Sequence, residues 1–439
     1  MILKKPWVQL SVILALAFFV RAAVFHFLGF EILKYREMGF DLPAQHWLAG
    51  EGMGVAAYCP TSYRAPGFIL YLIGIYGLFG RSALSLGIGQ IFWSLLVVVL
   101  AYILARRMFS PTVGTVAACI CAVYPYAVYH DITGFYFTAL FSCVMLGLVI
   151  SIIESVRRES IAWATFSGLL LGIGLLFRGT ILIAAPFLAL WIVWCGKNNR
   201  RKAVMQAVCM ACAAIAVLVP WWVRNYEVHG RFVFLTTDGG RALWKSMNSQ
   251  SLPMLLVDGH IDDTPDPYDM PSVSPMAYKD AVGCGFMAMS EPDQDAWYYR
   301  KAFVFAVSKP YDTARLAWHK FLGYWSVFYF PPLETGGWSF RYPASFFSLS
   351  YAAYTLTYGP VLLFAVIGLL LARRRHGPEI LLLLVLVLGT SAPHLFFAGY
   401  TKYRAPLDPF LIVMASYALT SLYARFFPKR MRSGRSMPS

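Results

Sequence analysis

The chain has 439 residues, of which 59% are hydrophobic, 16% aromatic and only 13% charged. Soluble domains average about 45–50% apolar and about 25% charged residues, so a water-soluble globular architecture is excluded and a polytopic membrane protein is indicated. The net charge of +15 is not a nucleic-acid footprint: residues 223–349 hold 11 of the 37 Lys and Arg and 13 of the 22 Asp and Glu, a net of −2, which leaves +17 for the rest. That excess lies in short loops between apolar runs, the pattern that sets orientation in a bilayer.

The first apolar run, Trp7 to Gly29, follows Lys4 and Lys5 and lacks a cleavage signal, so it reads as a signal anchor with a cytoplasmic start. Further runs lie near 85–106, 112–129, 132–153, 161–177, 179–196, 203–222, 350–372, 378–398 and 407–425, giving ten expected spans. With ten spans, Arg106 and Arg107, Arg157 and Arg158, Lys197 with Arg200 to Lys202, Arg373 to Arg375 and the cluster from Arg425 to Arg435 all fall on the side of Lys4 and Lys5. Both termini are then cytoplasmic. The segment GFILYLIGIYGLFG at 67–80 is not counted, because at about 1.5 Å per residue it reaches only about 21 Å. It is expected to be an interfacial or re-entrant helix.

The expected organisation is an N-terminal membrane module over 1–222 with its first loop at 30–84, an extramembrane domain over 223–349, a C-terminal membrane module over 350–425 and a basic tail over 426–439. The fold class is all-α and polytopic, with a small α or α+β extramembrane domain. An amphipathic helix pattern spans about 294–322 in that domain. No internal repeat is visible. Six of the eight cysteines lie inside spans; Cys59 and Cys284 are the two on the non-cytoplasmic side, where a disulfide between them is plausible and two free thiols nearly as much so.

Threading gathers unusual charged residues on that same face. Glu37, Asp41 and Arg64 lie in the first loop, His130 and Asp131 between the third and fourth spans, Arg178 after the fifth, Arg224 after the seventh, and Lys402 with Arg404 between the ninth and tenth. Arg presents a planar fork suited to phosphate and Lys adds a point charge. A phosphate held at a membrane surface suggests a polyprenyl phosphate, and a first-loop carboxylate would serve as general base toward an acceptor hydroxyl. Any single interfacial Arg or Lys is more often a snorkelling anchor. Arg21 is expected to pair with a carboxylate or backbone carbonyls, and Asp131 to end a helix or cap the next. The aspartates of 258–269 lack calcium-loop spacing, and no metal site or cofactor is called for. HExxH, a Walker loop and GxSxG are absent, which argues against a zinc protease, an ATPase and a serine hydrolase.

At these residues the sequence resembles the GT-C superfamily of membrane glycosyltransferases, in particular bacterial relatives of the dolichyl-phosphate-mannose protein mannosyltransferases and of the lipid A aminoarabinose transferases. The likeness runs from about residue 7 to 425. It is carried by Ala44, Trp47, Leu48, Gly50 and Gly52 followed by YRAPG at 63–67, by LLFRGTILIAAPFLALW, by PWWVRNYEVHGRFV leading to TTDGGRALW and Asn248, and by HLFFAGYTKYRAPLDPFL. The resemblance implies a periplasmic site in a bacterial inner-membrane protein, a polyprenyl-phosphate sugar donor, a hydroxyl acceptor on a lipid, glycan or protein, inversion at the anomeric carbon, and a first-loop acid as base. Arg36 stands at the commonest acid position, which leaves Glu37 and Asp41 as candidates, with preference for Glu37. Gly134 stands where relatives carry Glu, so that either Asp131, one turn earlier, substitutes or that role is missing. Arg64, Arg178, Arg224, Lys402 and Arg404 are the expected phosphate ligands, with Tyr63, His130, Asn225 and Tyr403 lining the site. The alternative is a lipid-linked-sugar flippase without covalent transfer; a third reading makes 223–349 the head of a binding protein.

Overall fold

A computed structural model describes residues 6–28, 33, 38–133, 136–197, 199–252, 290–328 and 344–427. Glu37, Cys284, Gly134 and the basic tail from 428 lie outside the described residues. Those described fold into helices, with no strand among them. The helices are α1 (Pro6–Leu28), α2 (Met38–Leu48), α3 (Pro66–Phe79), α4 (Ala83–Met108), α5 (Pro111–Val123), α6 (Pro125–Thr133), α7 (Thr138–Arg157), α8 (Ile161–Phe177), α9 (Ala185–Cys195), α10 (Arg200–His229), α11 (Gly239–Ser246), α12 (Glu291–Ser308), α13 (Pro310–Tyr324), α14 (Ala344–Ala372), α15 (Gly377–Ser391) and α16 (Asp408–Phe426).

The chain is a multi-pass membrane protein. Seven helical stretches among the described residues are long and apolar enough to cross: Trp7–Leu28, Ala83–Met108, Thr138–Arg157, Arg200–His229, Ala352–Ala372, Gly377–Leu395 and Thr401–Phe426. An eighth forms if α5 and α6, bent by 55°, act as one span. The remaining expected runs become shorter apolar helices, α8 and α9, the second preceded by a 3-10 turn over Gly179–Ile183. The segment at 67–80 forms the 14-residue α3. Serine or asparagine starts several helices by accepting a backbone N–H, as Ser82, Ser110, Ser160 and Asn199 do for α4, α5, α8 and α10.

The bend between α5 and α6 has an identifiable cause and an identifiable remedy. Pro125 lacks an N–H and its ring displaces the carbonyl four residues back, which frees backbone acceptors in an apolar setting. Arg21 of α1 supplies the donors, reaching Ala122 O at 2.8 Å, Cys121 O at 3.2 Å, Ala17 O at 3.2 Å and Ser94 Oγ at 2.7 Å. Ser94 in turn donates to Asp131 at 2.5 Å. Arg21 thus meets backbone carbonyls directly and reaches a carboxylate through one hydroxyl.

The bundle has two chemically distinct ends. At one, Arg107 and Arg158 hold Glu154, Arg157 pairs with Glu379 at 3.0 Å, and Lys202 with Glu159 at 3.3 Å. These are the loops whose positive charges the sequence assigns to one side. The other end gathers the first loop and the segments around 130, 178, 224–246, 290–328 and 396–408. There α10 runs on to His229, past the expected span end at 222. The amphipathic stretch at 294–322 is two helices, α12 and α13, rather than one, because Pro310 opens a new helix at its first turn. Together with α11 they enclose a small second core of Met247, Ala302, Phe305 and Leu316.

A close seam inside the bundle is α8 against α10. A Cβ at Gly168 would lie 2.1 Å from Met210 O, and one at Gly172 2.8 Å from Ala214 O. The two glycines are four residues apart on one face, the small-residue spacing that lets membrane helices approach closely. Gly168→Val is expected to destabilise the detergent-purified protein by about 1–3 kcal/mol, the usual cost of overpacking. Its melting temperature should fall below wild type by fluorescence-detected unfolding; an unchanged melting temperature would contradict this seam.

Candidate active site

Helix α2 buries Phe40, Asp41 and Ala44 against the bundle. Asp41 is wholly enclosed: it accepts from Tyr76 Oη at 2.8 Å, Gln45 Nε2 at 2.7 Å, and both Arg81 Nε at 3.1 Å and Nη2 at 2.9 Å. This carboxylate is committed to fastening α2 to α3 and to the turn before α4. Arg81 was not anticipated from sequence.

The loop after α2 is tied down from two directions. Glu291, at the start of α12, accepts from Thr61 Oγ1, from Ser62 N at 3.0 Å and from Thr237 Oγ1 at 2.9 Å. Arg224 of α10 donates to Ser62 Oγ at 2.7 Å, Asn225 Oδ1 at 3.2 Å and Met53 O at 3.1 Å, with its guanidinium 4.8 Å from the Trp221 ring. Asn225 is buried, accepts from Ser62 Oγ at 2.7 Å and donates to Val233 O at 3.1 Å. Tyr63 accepts from Arg241 at 2.8 Å, and burial pushes its phenol well above the ordinary range. Arg64 pairs with Asp238 at 3.0 Å while lying over Phe40 and Tyr63. Cys59, in the same loop, is disulfide-bonded.

On the far side of Phe40 lies an aromatic wall. Phe40 meets Phe68, Tyr136 and Phe137 edge-on at 5.4, 6.4 and 6.2 Å between centroids. Over that wall sits Arg178, in the break between α8 and the 3-10 turn, 9% exposed. It donates to Tyr403 O at 3.1 Å and Tyr136 Oη at 2.8 Å, and its guanidinium lies 4.9–5.8 Å from the rings of Tyr403, Phe137, Tyr136 and Phe141. Among the described residues no carboxylate pairs with it. Tyr403 continues into a stack in which His394 lies 5.1 Å from both Tyr403 and Tyr324.

Arg404, fully buried, is answered internally. It pairs with Asp408 at 3.0 Å, donates to Tyr354 Oη and Tyr324 O at 3.1 Å, and stacks 3.6 Å from the Tyr358 ring. Lys402 lies over Tyr400 and Tyr403. His130 packs between Tyr126 and Tyr129, and Asp131 stays with Ser94 beneath it. Those of the expected residues that are described therefore share one end of the bundle, but they divide. Arg64, Arg224, Asn225 and Asp41 hold the first loop, Arg404 holds the last span, and Arg178 faces aromatic rings. Among the described residues no cluster of three His, Cys, Asp or Glu side chains suits a metal.

Sequence reasoning passed over Asp238, Glu291, Lys320 and Asp408. Two of them carried a signal. Asp408 follows Arg404 at the i,i+4 spacing of a helical ion pair, and Lys320 falls in register with buried Leu316 and Tyr324 on α13. Lys320 Nζ donates to Ser246 O at 2.6 Å and Phe396 O at 2.7 Å, joining α11, α13 and the segment leading to Tyr403.

Residues 64–223 match the family described as dolichyl-phosphate-mannose-protein mannosyltransferase, a stretch that includes Arg64, Asp131 and Arg178. No curated protein sequence matches the chain. Among solved structures, the oligosaccharyltransferase AglB of Archaeoglobus fulgidus, in complex with an inhibitory peptide and a dolichol-phosphate, aligns with a TM-score of 0.55 and 13% identity over 100% of this chain and 53% of its own. The apo oligosaccharyltransferase of the same organism gives 0.56 and 15% over 99% and 53%. ArnT of Cupriavidus metallidurans bound to undecaprenyl phosphate aligns over 99% of this chain and 82% of its own at 15% identity, with a TM-score of 0.39. The chain spans about half the length of the oligosaccharyltransferases, and at these identities the likeness shows the fold. The expected likeness to dolichyl-phosphate-mannose protein mannosyltransferases is met by the family match over residues 64–223, and the likeness to the oligosaccharyltransferases is one of fold.

Burial lowers the Lys320 ammonium to a pKa of about 7. The folded protein therefore releases a proton that the unfolded chain keeps up to the ordinary lysine range of about 10.4. Where the unfolded state binds more protons, stability rises with pH. The melting temperature of wild type is thus expected to gain on that of Lys320→Met between about pH 7 and 9.5; parallel curves would refute the assignment.

Proposed function

We propose that this protein is a metal-independent, inverting glycosyltransferase that moves a sugar from a polyprenyl-phosphate donor to a hydroxyl acceptor on a lipid, glycan or protein at the non-cytoplasmic face of a bacterial inner membrane. The observation that carries the reading is Arg178. It is a buried cation in an aromatic setting, hydrogen-bonded to one carbonyl and one phenol, with no carboxylate partner among the described residues. A permanent charge withdrawn from water needs an anion or a full set of acceptors; Arg178 has two acceptors, and a guanidinium fork fits phosphate oxygens. The family match and the shared fold support the same class of reaction.

In this reading the donor phosphate binds Arg178, with Lys402 on the neighbouring turn adding charge, and the polyprenyl chain runs along lipid-facing helices. The acceptor oxygen attacks the anomeric carbon opposite the phosphate, so the new C–O bond forms as the sugar–phosphate bond breaks, with inversion. The acceptor proton passes to Glu37, and the bond electrons leave on the polyprenyl phosphate, which needs no general acid. Asp41 is bound on both oxygens by Arg81, Tyr76 and Gln45, which suits a structural role and favours Glu37 as base. Asp131, hydrogen-bonded to Ser94, steadies the floor of the site beside His130. Arg64 and Arg224 hold the part of the first loop that follows α2.

Purified protein in liposomes, supplied with polyprenyl-phosphoryl sugars and envelope acceptors, tests the reading. Glu37→Gln should slow transfer by about 10²–10⁴-fold, the usual span for a general base. Arg178→Met should raise the donor KM about 10–100-fold, the loss of one charge-assisted contact of about 1.5–3 kcal/mol. Full transfer by Glu37→Gln would overturn the base, and an unchanged donor KM in Arg178→Met would overturn the phosphate site.

A further inference from the structure

Helices α12 and α13 bury one face each and expose large apolar side chains on the other. In α13 the buried positions are Leu316, Lys320 and Tyr324, one turn apart. At 100° per residue, Tyr311, Trp318 and Leu322 form a stripe on the opposite side, flanked by Phe321 and bordered by Arg315. Tyr311 is 76% exposed and Trp318 58%, and Trp318 stacks on Phe321. In α12 the buried positions are Gln294, Tyr298, Ala302 and Phe305, and Phe303 at 68% exposure and Val307 at 65% point the other way. A helix in water carries polar residues on such a face.

Three observations identify what covers it. First, α13 is fixed to the end of two spans: Lys320 Nζ donates to Phe396 O, and Gly399 comes so close to Lys320 that an added Cβ would lie 2.4 Å from its carbonyl. Phe396 closes the span Gly377–Leu395 and Thr401 opens the next, so α13 sits at the level where spans leave the bilayer. Second, Phe396 and Leu388 are themselves exposed, so the apolar stripe adjoins the lipid-facing surface of that span. Third, the exposed charges bordering the stripe are Arg300, Lys301, Lys309 and Arg315, while Asp312 is the lone acid from 296 to 324. Aromatic residues with a cationic border suit the headgroup layer of an anionic membrane.

We propose that α13 and the last two turns of α12 lie in the headgroup region of an anionic bilayer, apolar stripe inward. The helix pair then acts as a membrane-surface anchor. Through Lys320 and Gly399 it sets the depth of residues 396–404, and with them Tyr403, whose carbonyl holds Arg178.

Photo-crosslinking of the full chain in nanodiscs of phosphatidylethanolamine and phosphatidylglycerol tests this. Trp318→p-benzoylphenylalanine and Val307→p-benzoylphenylalanine are compared with Leu388 as a lipid-facing reference and Arg231 as an extramembrane one. Lipid adducts at 318 and 307 are expected at yields near that of 388 and several-fold above 231. Adducts only to protein, meaning that another part of the chain covers the stripe, or yields at the level of 231, would overturn the proposal. Unmodified protein gives a second reading. Peptides covering 303–322 should exchange backbone hydrogens several-fold more slowly in phosphatidylglycerol nanodiscs than in phosphatidylcholine ones, and equal exchange would count against the anionic surface.

Discussion

A guanidinium taken out of water must be met by negative charge or by a full set of acceptors, and the site end of this bundle is organised around that requirement. Arg21 meets it with three carbonyls and Ser94. Arg404 meets it with Asp408 and tyrosines, Arg64 with Asp238, and Arg224 with Ser62, Asn225 and a first-loop carbonyl. Arg178 has one carbonyl, one phenol and ring faces. Aromatic faces attract a cation but do not neutralise it. In the proposed reading the other arginines make the frame, and Arg178 is the charge left for a ligand.

The frame itself is unusually dependent on loops. The first loop is gripped by α3 and Arg81 through Asp41, by α10 through Arg224 and Asn225, and by α12 through Glu291. The segment leading to Tyr403 is gripped by α13 through Lys320. Each tie uses a buried hydrogen bond or ion pair rather than a broad apolar interface. Such contacts fix geometry well and lose it sharply when one partner is removed. A site assembled this way can present groups from four distant stretches of chain within one small region.

Sequence made much of this legible and for clear reasons. Spans show because a bilayer demands about 20 apolar residues, and seven helical stretches among the described residues meet that length, while the expected runs at 161–177 and 112–129 fall on a short helix and a bent pair. The brevity of α3 was readable from its 14 residues. The partners of the arginines were mostly hidden, since Arg64 and Asp238 lie 174 positions apart and Arg81 and Asp41 lie 40 apart, with no periodic signal between them. Arg404 and Asp408 were the exception, at helical spacing. The amphipathic helix pattern expected at 294–322 is carried by two helices, because the periodicity continues across Lys309 while Pro310 ends the hydrogen-bond ladder. Residue type announces a charge, and only its neighbours decide whether that charge is already paired, as Arg64 is with Asp238 and Arg404 with Asp408.

The central claim is that Arg178 is reserved for the phosphate of a polyprenyl lipid. A structure of the protein in nanodiscs with a polyprenyl phosphate bound is the most direct measurement of it. The account predicts a phosphate oxygen within ion-pair distance of the Arg178 guanidinium, with Arg64 still on Asp238 and Arg404 still on Asp408. A phosphate seated elsewhere, with Arg178 unchanged against Tyr136 and Tyr403, would contradict it.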